Sequence, residues 1–206
     1  MGTTEKIYFY PLWLRIWHGI NALGILALII TGISMQASFE TSVIGFKNAV
    51  NIHNVAGLIV ALGYLVFFMG NLISGNGKFY LIKMKGFLKR PLKQAYYYGW
   101  GMFHGMTAPY PLSAKRKFNP LQKYSYVFVM YMAVPFVIVS GLALLFPEII
   151  IDKIFIFSGI SVTAILHSVF GFFISIFLII HVYIASVGKS PLENFKSIIT
   201  GWHQLH

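Results

Sequence analysis

Residues 165 to 186 read ILHSVFGFFISIFLIIHVYIAS, an apolar segment long enough to cross a lipid bilayer that nevertheless contains two histidines, His167 and His181. A spanning helix needs about 20 predominantly apolar residues, and ionisable side chains inside a membrane tend to face a cavity, a partner or a cofactor. The segment therefore predicts a transmembrane helix whose histidines face something other than lipid.

The rest of the chain repeats this apolar character. Of its 206 residues, 57% are hydrophobic and 10% are charged, against roughly 25% charged in a soluble domain. Four windows without Asp, Glu, Lys or Arg are long enough to span: 16–39, 48–77, 124–147 and 154–188. Such solid blocks argue against the alternating strands of a membrane barrel, so strands are not expected. The sequence predicts an all-α integral membrane four-helix bundle, one domain over residues 1–206, with helices at about 12–35, 51–73, 121–146 and 162–187. We expect the first helix to be retained, because no small-residue cleavage site follows its apolar core.

The net charge of +11 is distributed unevenly. Fourteen of the sixteen Lys and Arg residues lie on one predicted side of the membrane, and only Lys47 and Lys153 lie on the other. The positive-inside rule then predicts that both termini and a basic loop at about 75–120 are cytoplasmic. Since topology explains the positive charge, no nucleic-acid partner is predicted. The loop itself is either a surface helix that presents Lys and Arg to lipid headgroups or an irregular basic segment.

The histidines fall into depth-matched pairs. His167 and His181 are fourteen residues apart, which on a helix places them within about 40° of one direction and about 21 Å apart along the axis. His18 comes early in the helix that enters from the cytoplasm, at the level of His181. His53 comes early in the helix that enters from outside, at the level of His167. The pattern therefore predicts two stacked histidine pairs, one near each membrane face.

Two histidines on facing helices can supply both axial ligands of a haem iron, and such sites are built in bundle cores. Gly57 and Gly171 lie one turn beyond a candidate ligand, where a flat porphyrin needs small residues, although such glycines also serve plain helix packing. A single membrane histidine is more often a hydrogen-bonded contact or a proton relay, but packing alone does not require a depth-matched set of four. The remaining histidines, His104, His203 and His206, are expected to be solvated. The chain has no cysteine, which excludes disulfides, iron–sulfur ligation and covalent c-type haem.

Several ordered motifs resemble one family over nearly the whole chain. They are Arg15-x-x-His18, Thr31-Gly-Ile-Ser34, His53-x-x-x-Gly57, Lys117-Phe-Asn-Pro-Leu-Gln-Lys123, and His167-x-x-x-Gly171 followed by His181-Val-Tyr183. The chain is similar to the four-helix dihaem cytochrome b subunits of bacterial membrane oxidoreductases, such as the formate dehydrogenase gamma subunit and the thiosulfate reductase cytochrome b. Its middle loop, rich in Tyr, Lys and Gly, departs from that pattern, so no family function is carried onto it.

The resemblance implies two haem b groups, ligated by His53 with His167 and by His18 with His181, in agreement with the depth pairing. It further implies a quinone site near the inner haem, with Asn119 and Gln122 as its polar groups and His181 as a further contact through its free ring nitrogen. Asn119 and Gln122 could equally cap a helix. Arg15 could pair with a haem propionate, or anchor the helix at the cytoplasmic interface.

These features predict a multi-pass cytochrome of a prokaryotic cytoplasmic membrane. It would be the quinone-reactive subunit of an oxidoreductase, without a catalytic substrate site of its own, and would carry electrons between a menaquinone or ubiquinone pool and an external redox subunit. The expected partner is an iron–sulfur protein, with or without a molybdenum enzyme, or a multihaem cytochrome. Two alternatives remain open: a transporter or proton channel that uses the histidines as a relay, and a haem-free membrane anchor of an enzyme.

Overall fold

Helices form almost all of the computed structural model, which describes residues 6–37, 44–113, 116–187 and 190–204. In chain order they are α1 (Leu12–Gln36), α2 (Phe46–Ile73), α3 (Lys89–Gly99), α4 (Pro120–Phe128), α5 (Val134–Leu145), α6 (Gly159–Ser186) and α7 (Glu193–Thr200). Four stretches are long and apolar enough to span a membrane, namely α1, α2, the continuous helical segment Pro120–Leu145 and α6. Their outward surfaces carry exposed Leu, Ile, Val and Phe side chains, as lipid-facing surfaces do. The predicted four spans are confirmed.

The helix boundaries differ from the prediction at two starts. The second helix begins at Phe46 rather than near residue 51, and the fourth begins at Gly159 rather than near residue 162. In α2 the helical hydrogen bonds extend past Lys47, because a charged residue ends an apolar stretch without ending a helix. In α6 the earlier start, at Gly159, still lies within the uncharged segment 154–188.

The third span is not a uniform α-helix. It starts at Asn119, whose side chain accepts from the Gln122 N–H while the Gln122 side chain accepts from the Asn119 N–H, a capping box that satisfies two donors. Pro120 occupies the first turn, where a missing N–H costs nothing. Between α4 and α5 the segment Val129–Ala133 is π-helical. Pro135 follows it and lacks an N–H donor, so the wider turn accommodates the proline inside a continuous span.

The spans pack as two pairs. Helix α1 contacts α2 along its length and α5 contacts α6, whereas α1 meets α6, and α2 meets α5, at few points. Each pair has a small buried cluster of its own: Val129, Ala133, Val134 and Ile174 between the third span and α6, and Leu14, Trp17 and Phe67 between α1 and α2. Partly buried side chains such as Tyr64 and Met130 make the contacts from one pair to the other. Space therefore remains between the two helix pairs, and the histidines of α1 and α2 face those of α6 across it.

Short elements close the two ends of the bundle. Strand β1 (Lys6–Tyr8) pairs antiparallel with a strand near the C-terminus, Trp202–Gln204, and this joins both chain ends. At the opposite end β2 (Lys153–Ile154) and β3 (Phe157–Ser158) form a hairpin. With the C-terminal strand as β4, these four strands correct the expectation of a strand-free chain. They lie outside the spans, where backbone groups can pair without crossing lipid. The end that carries β1 and β4 is called the terminal end below.

The basic loop between the second and third spans contains defined structure. It includes α3 and two short 3₁₀ segments, Asn76–Phe79 and Gly101–His104. The sequence predicted either a surface helix or an irregular basic segment here, and the structure contains a helix. Gln94 of α3 is buried, while Lys89 and Lys93 of the same helix are exposed.

Candidate functional site

The first histidine pair lies at the end of the bundle opposite the chain termini. His53 of α2 and His167 of α6 face each other with their ring centroids 6.2 Å apart. Both side chains are half-buried. They come from helices of different pairs, so their rings meet across the space between the pairs. The structure thus brings together the two residues that depth alone predicted.

Hydroxyl groups fix the orientation and the tautomer of these two rings. The Thr31 hydroxyl lies 2.9 Å from His53 Nδ1 and donates to the Ala27 carbonyl at 2.7 Å. The Ser140 hydroxyl likewise lies 2.9 Å from His167 Nδ1.

Each hydroxyl has one hydrogen, and in both cases a backbone carbonyl four residues earlier accepts it, Ala27 for Thr31 and Phe136 for Ser140. With the hydroxyl hydrogen directed to that carbonyl, the hydroxyl oxygen is placed to accept from the histidine, and this arrangement corresponds to the tautomer with the proton on Nδ1. The other nitrogen, Nε2, keeps its lone pair and is free to bind a metal. A hydrogen bond on the distal nitrogen is the usual support of a metal-ligating histidine.

The second pair lies toward the terminal end. His18 of α1 and His181 of α6 have ring centroids 6.3 Å apart. The Tyr126 hydroxyl lies 3.4 Å from His181 Nδ1, and the Phe177 ring stacks on the His181 ring at 5.6 Å. The spacing repeats that of the first pair, although the contact that orients His181 is longer.

The spacing of both pairs suits an iron between them. An imidazole nitrogen binds a metal at about 2 Å, and that nitrogen lies about 1.1 Å from the ring centre, so two trans imidazoles place their centroids about 6.2 Å apart. The observed 6.2 and 6.3 Å match this value. Tilted and edge-to-face rings in direct contact also have centroids about 4.5 to 7 Å apart, so the spacing is compatible with an iron, and it is the repetition of the pair at two depths that favours haem.

The glycines beside the histidines leave room for a flat group. A Cβ added to Gly171 would meet no atom within 4 Å, and one added to Gly57 would meet only Leu28 at 3.9 Å. A Cβ added to Gly141 would lie 3.1 Å from the His167 ring, which is tighter than an ordinary contact. The absence of a side chain at Gly141 therefore leaves room for the His167 ring. The space predicted beside Gly57 and Gly171 is therefore present, and the residues around His53 and His167 fit a haem.

A cavity of about 710 Å³ opens beside the second pair, within the range of cofactor and ligand pockets. His18 and His181 line it, and so do Asn119 and Gln122. Both amides also form the capping box of α4, which is the structural role that the sequence left open. The same two residues therefore cap a helix and line the cavity. The Asn119 Nδ2 group donates to the Tyr98 hydroxyl at 2.8 Å.

Arg15 lies one turn before His18. Its guanidinium donates to the backbone carbonyl of Ile199 in α7, and its Nε is buried without a hydrogen-bond partner among the described residues. A buried guanidinium N–H without an acceptor is costly. A haem propionate would satisfy this donor, which fits the role that the resemblance implies for Arg15.

Three further residues of this cavity were not predicted from the sequence. Gln94 is only 2% exposed and its side-chain oxygen has no partner among the described residues. Tyr98 is held by Asn119, and burial raises its pKa above the ordinary value. Lys117 is 3% exposed, donates to Asn76 at 3.1 Å and lies 4.7 Å from the Tyr10 ring centre. Lys117 could have been found from the sequence, because it stands two residues before Asn119 in the same motif. Gln94 and Tyr98 lie in the basic loop, whose fold the sequence did not reveal.

The other histidines differ from expectation in one case. His104 is exposed and stacks on Trp100 at 3.9 Å, as a solvated residue can. His203 was expected to be solvated, and this is wrong. Its side chain is 8% exposed and lies 3.1 Å from the Ser197 hydroxyl, because β4 folds back beneath β1 and α7. His206 lies outside the described residues.

Comparison with known proteins agrees with this geometry. Residues 9–201 match the family model described as "Prokaryotic cytochrome b561". The chain is also 34% identical, over 201 residues, to the protein named "Putative cytochrome YdhU" from Escherichia coli (strain K12), an alignment that covers 97% of this chain and 76% of that one. Membership of a cytochrome b family implies haem b binding, electron transfer across a membrane, and a multi-pass location in the prokaryotic inner membrane. The chain belongs to the prokaryotic cytochrome b561 family.

Proposed function

We propose that this cytochrome binds two haem b groups and carries electrons between a quinone pool and an external redox subunit. The observation that carries the proposal is the repeated geometry of the histidines: two pairs, at two depths, with ring centroids 6.2 and 6.3 Å apart. His53 and His167 would hold one haem, and His18 and His181 the other. A bound haem b supplies a reversible one-electron carrier.

The protein residues around each pair perform distinct tasks. Thr31 and Ser140 contact Nδ1 of His53 and His167, so that the Nε2 atom of each ring would remain available to a haem iron. Arg15 offers a buried N–H to a propionate at the terminal end. The two ligands on α6 are fourteen residues apart, a rise of about 21 Å along the helix. An electron that passes between the two sites therefore crosses a large part of the membrane field, worth about 2.3 kcal/mol per 100 mV.

We place the quinone in the cavity beside the His18–His181 pair. Its wall combines apolar side chains with several amide groups, among them Asn119 and Gln122 at the start of α4 and Gln94 of α3. The unpaired Gln94 oxygen is an acceptor for a hydroquinone O–H. A hydroquinone bound there would give up two electrons and two protons when oxidised, and a haem held by His18 and His181 would supply a one-electron acceptor beside it.

The distribution of charge supports an orientation with the terminal end in the cytoplasm. The basic loop, including α3, leaves the membrane on that side, as the positive-inside rule requires. The partner would then dock at the opposite end, near the β2–β3 hairpin. Since the chain has no cysteine to hold an iron–sulfur cluster, we propose an iron–sulfur protein, with or without a molybdenum enzyme, or a multihaem cytochrome as that partner.

The two alternatives explain less. A proton relay needs histidines that contact one another or water in series, but it gives no reason for two pairs with the separation that suits an iron. A haem-free anchor gives no reason for two histidine pairs at two depths between the helix pairs. Haem binding in the family also favours the cytochrome.

Reduction of the haems by a quinol tests the proposal. The purified, haem-loaded chain in liposomes would be mixed with menadiol, and the α-band absorbance of ferrous haem b followed over time. We expect menadiol to reduce both haems. Gln94→Leu should slow the reduction by about tenfold at subsaturating menadiol, because it removes one buried hydrogen bond to the quinol. Gln36→Leu, the same change at an exposed site on the other side, should leave the rate unchanged. Haems that dithionite reduces and menadiol does not would contradict the quinone site.

A further inference from the structure

A second cavity, of about 200 Å³, lies beside the basic loop and is bordered by positive charge. Four cationic side chains line it: Lys83, Arg90, Arg116 and Lys123. No Asp or Glu occurs in the sequence between Glu40 and Glu148, so the segments that build the cavity contain no carboxylate to neutralise it. Three of the cations repel the Lys123 ammonium directly. Like charges held together in this way destabilise the folded chain unless an anion joins them.

Backbone carbonyls hold these cations in place. The Arg90 guanidinium donates to the carbonyls of Lys83 and Gly86, and Lys123 Nζ donates to the Leu81 carbonyl at 3.2 Å. An arginine has five N–H donors and a lysine three, so most donors of both groups remain available. The loop thus places four cationic residues around one cavity, two of them held there by backbone carbonyls.

A hydroxyl group adds a neutral donor to the same cavity. Tyr124 lines it, and its hydroxyl oxygen is buried without a hydrogen-bond partner among the described residues. A buried hydroxyl without a partner is unfavourable. An oxygen-rich anion would satisfy this hydroxyl together with the four cations, whereas a chloride-sized ion would satisfy fewer of them.

The position of the cavity identifies the source of the anion. Lys123 is the fourth residue of the membrane-spanning segment Pro120–Leu145, so the cavity lies where that span leaves the apolar layer, at the level of lipid headgroups. Basic groups near a membrane surface attract anionic lipid by about 1 kcal/mol each. We propose that this cavity is a specific site for the phosphate group of an anionic phospholipid, with Lys83, Arg116 and Lys123 as its charged contacts.

Native mass spectrometry of the delipidated, haem-loaded full chain tests this site. Dioleoylphosphatidylglycerol, dioleoylphosphatidylcholine and inorganic phosphate would be titrated separately. We expect phosphatidylglycerol to bind at least tenfold more tightly than phosphatidylcholine, and millimolar phosphate not to displace it. Lys83→Gln with Lys123→Gln should weaken phosphatidylglycerol binding about tenfold. The matched control is Lys89→Gln with Lys93→Gln, which removes the same charge from exposed positions on α3 and should change binding by less than twofold.

Two single variants, Tyr124→Phe and Arg116→Gln, test the same site if the Lys83→Gln and Lys123→Gln double variant does not fold. Tyr124→Phe removes only the unpaired hydroxyl and should weaken phosphatidylglycerol binding two- to threefold. Arg116→Gln, in the loop before α4, should weaken it about threefold. Equal losses in the pocket variants and the Lys89 and Lys93 control would overturn the site in favour of diffuse surface charge. Equal binding of phosphatidylcholine, or displacement by free phosphate, would overturn the assignment to an anionic lipid.

Discussion

At the scale of single residues, two hydroxyl groups determine what the histidines can do. Thr31 and Ser140 each use their hydrogen on a backbone carbonyl, and this leaves an oxygen that accepts only from His53 or His167. A membrane interior offers few other polar groups, so a ring whose Nδ1–H is satisfied internally presents Nε2 at a defined angle. The orientation of His53 and of His167 therefore depends on a hydroxyl group on another helix.

Replacing Ser140 tests this arrangement. The hydrogen bond from Nδ1 makes the imidazole a better electron donor and stabilises ferric iron, so Ser140→Ala should raise the midpoint potential of the haem at His167 by on the order of 20 to 40 mV. Ser125→Ala is the matched control, because the Ser125 hydroxyl also donates to a carbonyl four residues earlier but contacts no histidine in the described structure. Spectroelectrochemical titration measures both. An equal shift in the two variants would contradict the role of Ser140.

Lys117 is the second residue whose environment makes a prediction. Burial lowers the pKa of Lys117 from 10.5 to about 8. Between these values the unfolded chain binds the proton and the native chain does not, so the free energy of unfolding rises with pH across this interval. From about pH 7.5 to about pH 9.5, the wild type should gain on the order of 1 to 2 kcal/mol relative to Lys117→Met, which cannot titrate. Thermal melts in detergent at several pH values measure the difference. A difference between the two proteins that stays constant with pH would show that the ammonium is not desolvated.

At the scale of elements, the start of α4 combines a helix cap with a cavity wall. Asn119→Ala removes the cap and the bond to Tyr98, and should destabilise the chain by about 1 kcal/mol. Asn119→Asp keeps the capping oxygen and loses only the amide donor, so its stability should stay near that of the wild type. Binding of a quinol analogue, measured by fluorescence quenching, should weaken in both variants. Weakening in Asn119→Ala alone would mean that the residue acts only as a cap.

Some elements of the fold could be predicted from the sequence and others could not. Apolar windows and the fourteen-residue histidine spacing predicted the four spans and the two pairs, because lipid imposes those patterns on each helix separately. Helix α3, the π-helical segment and the β1–β4 pairing depend on contacts between distant parts of the chain. Gln94 was missed for the same reason: a glutamine in a basic loop has no pattern, and only the folded loop places it on the cavity wall.

At the scale of the whole molecule, the fold is two helix pairs held apart by the space between them. Close packing within each pair and sparse contact between pairs leave four histidines as the polar groups that meet across the middle. The strands β1 and β4 and the contact from Arg15 to Ile199 join the pairs at the terminal end. We propose that this space holds two haems, each bound by one histidine from α6 and one from the α1–α2 pair.

Haem stoichiometry in double variants tests that claim most directly. A pyridine haemochrome assay with protein quantitation should give two b haems per wild-type chain and two in His104→Ala, the exposed control. His53→Ala with His167→Ala should retain one haem, because both changes fall in one pair. His18→Ala with His53→Ala should retain none, because each change removes a ligand from a different pair. Two haems lost from the His53 and His167 variant, or one kept in the His18 and His53 variant, at wild-type protein abundance, would contradict the pairing.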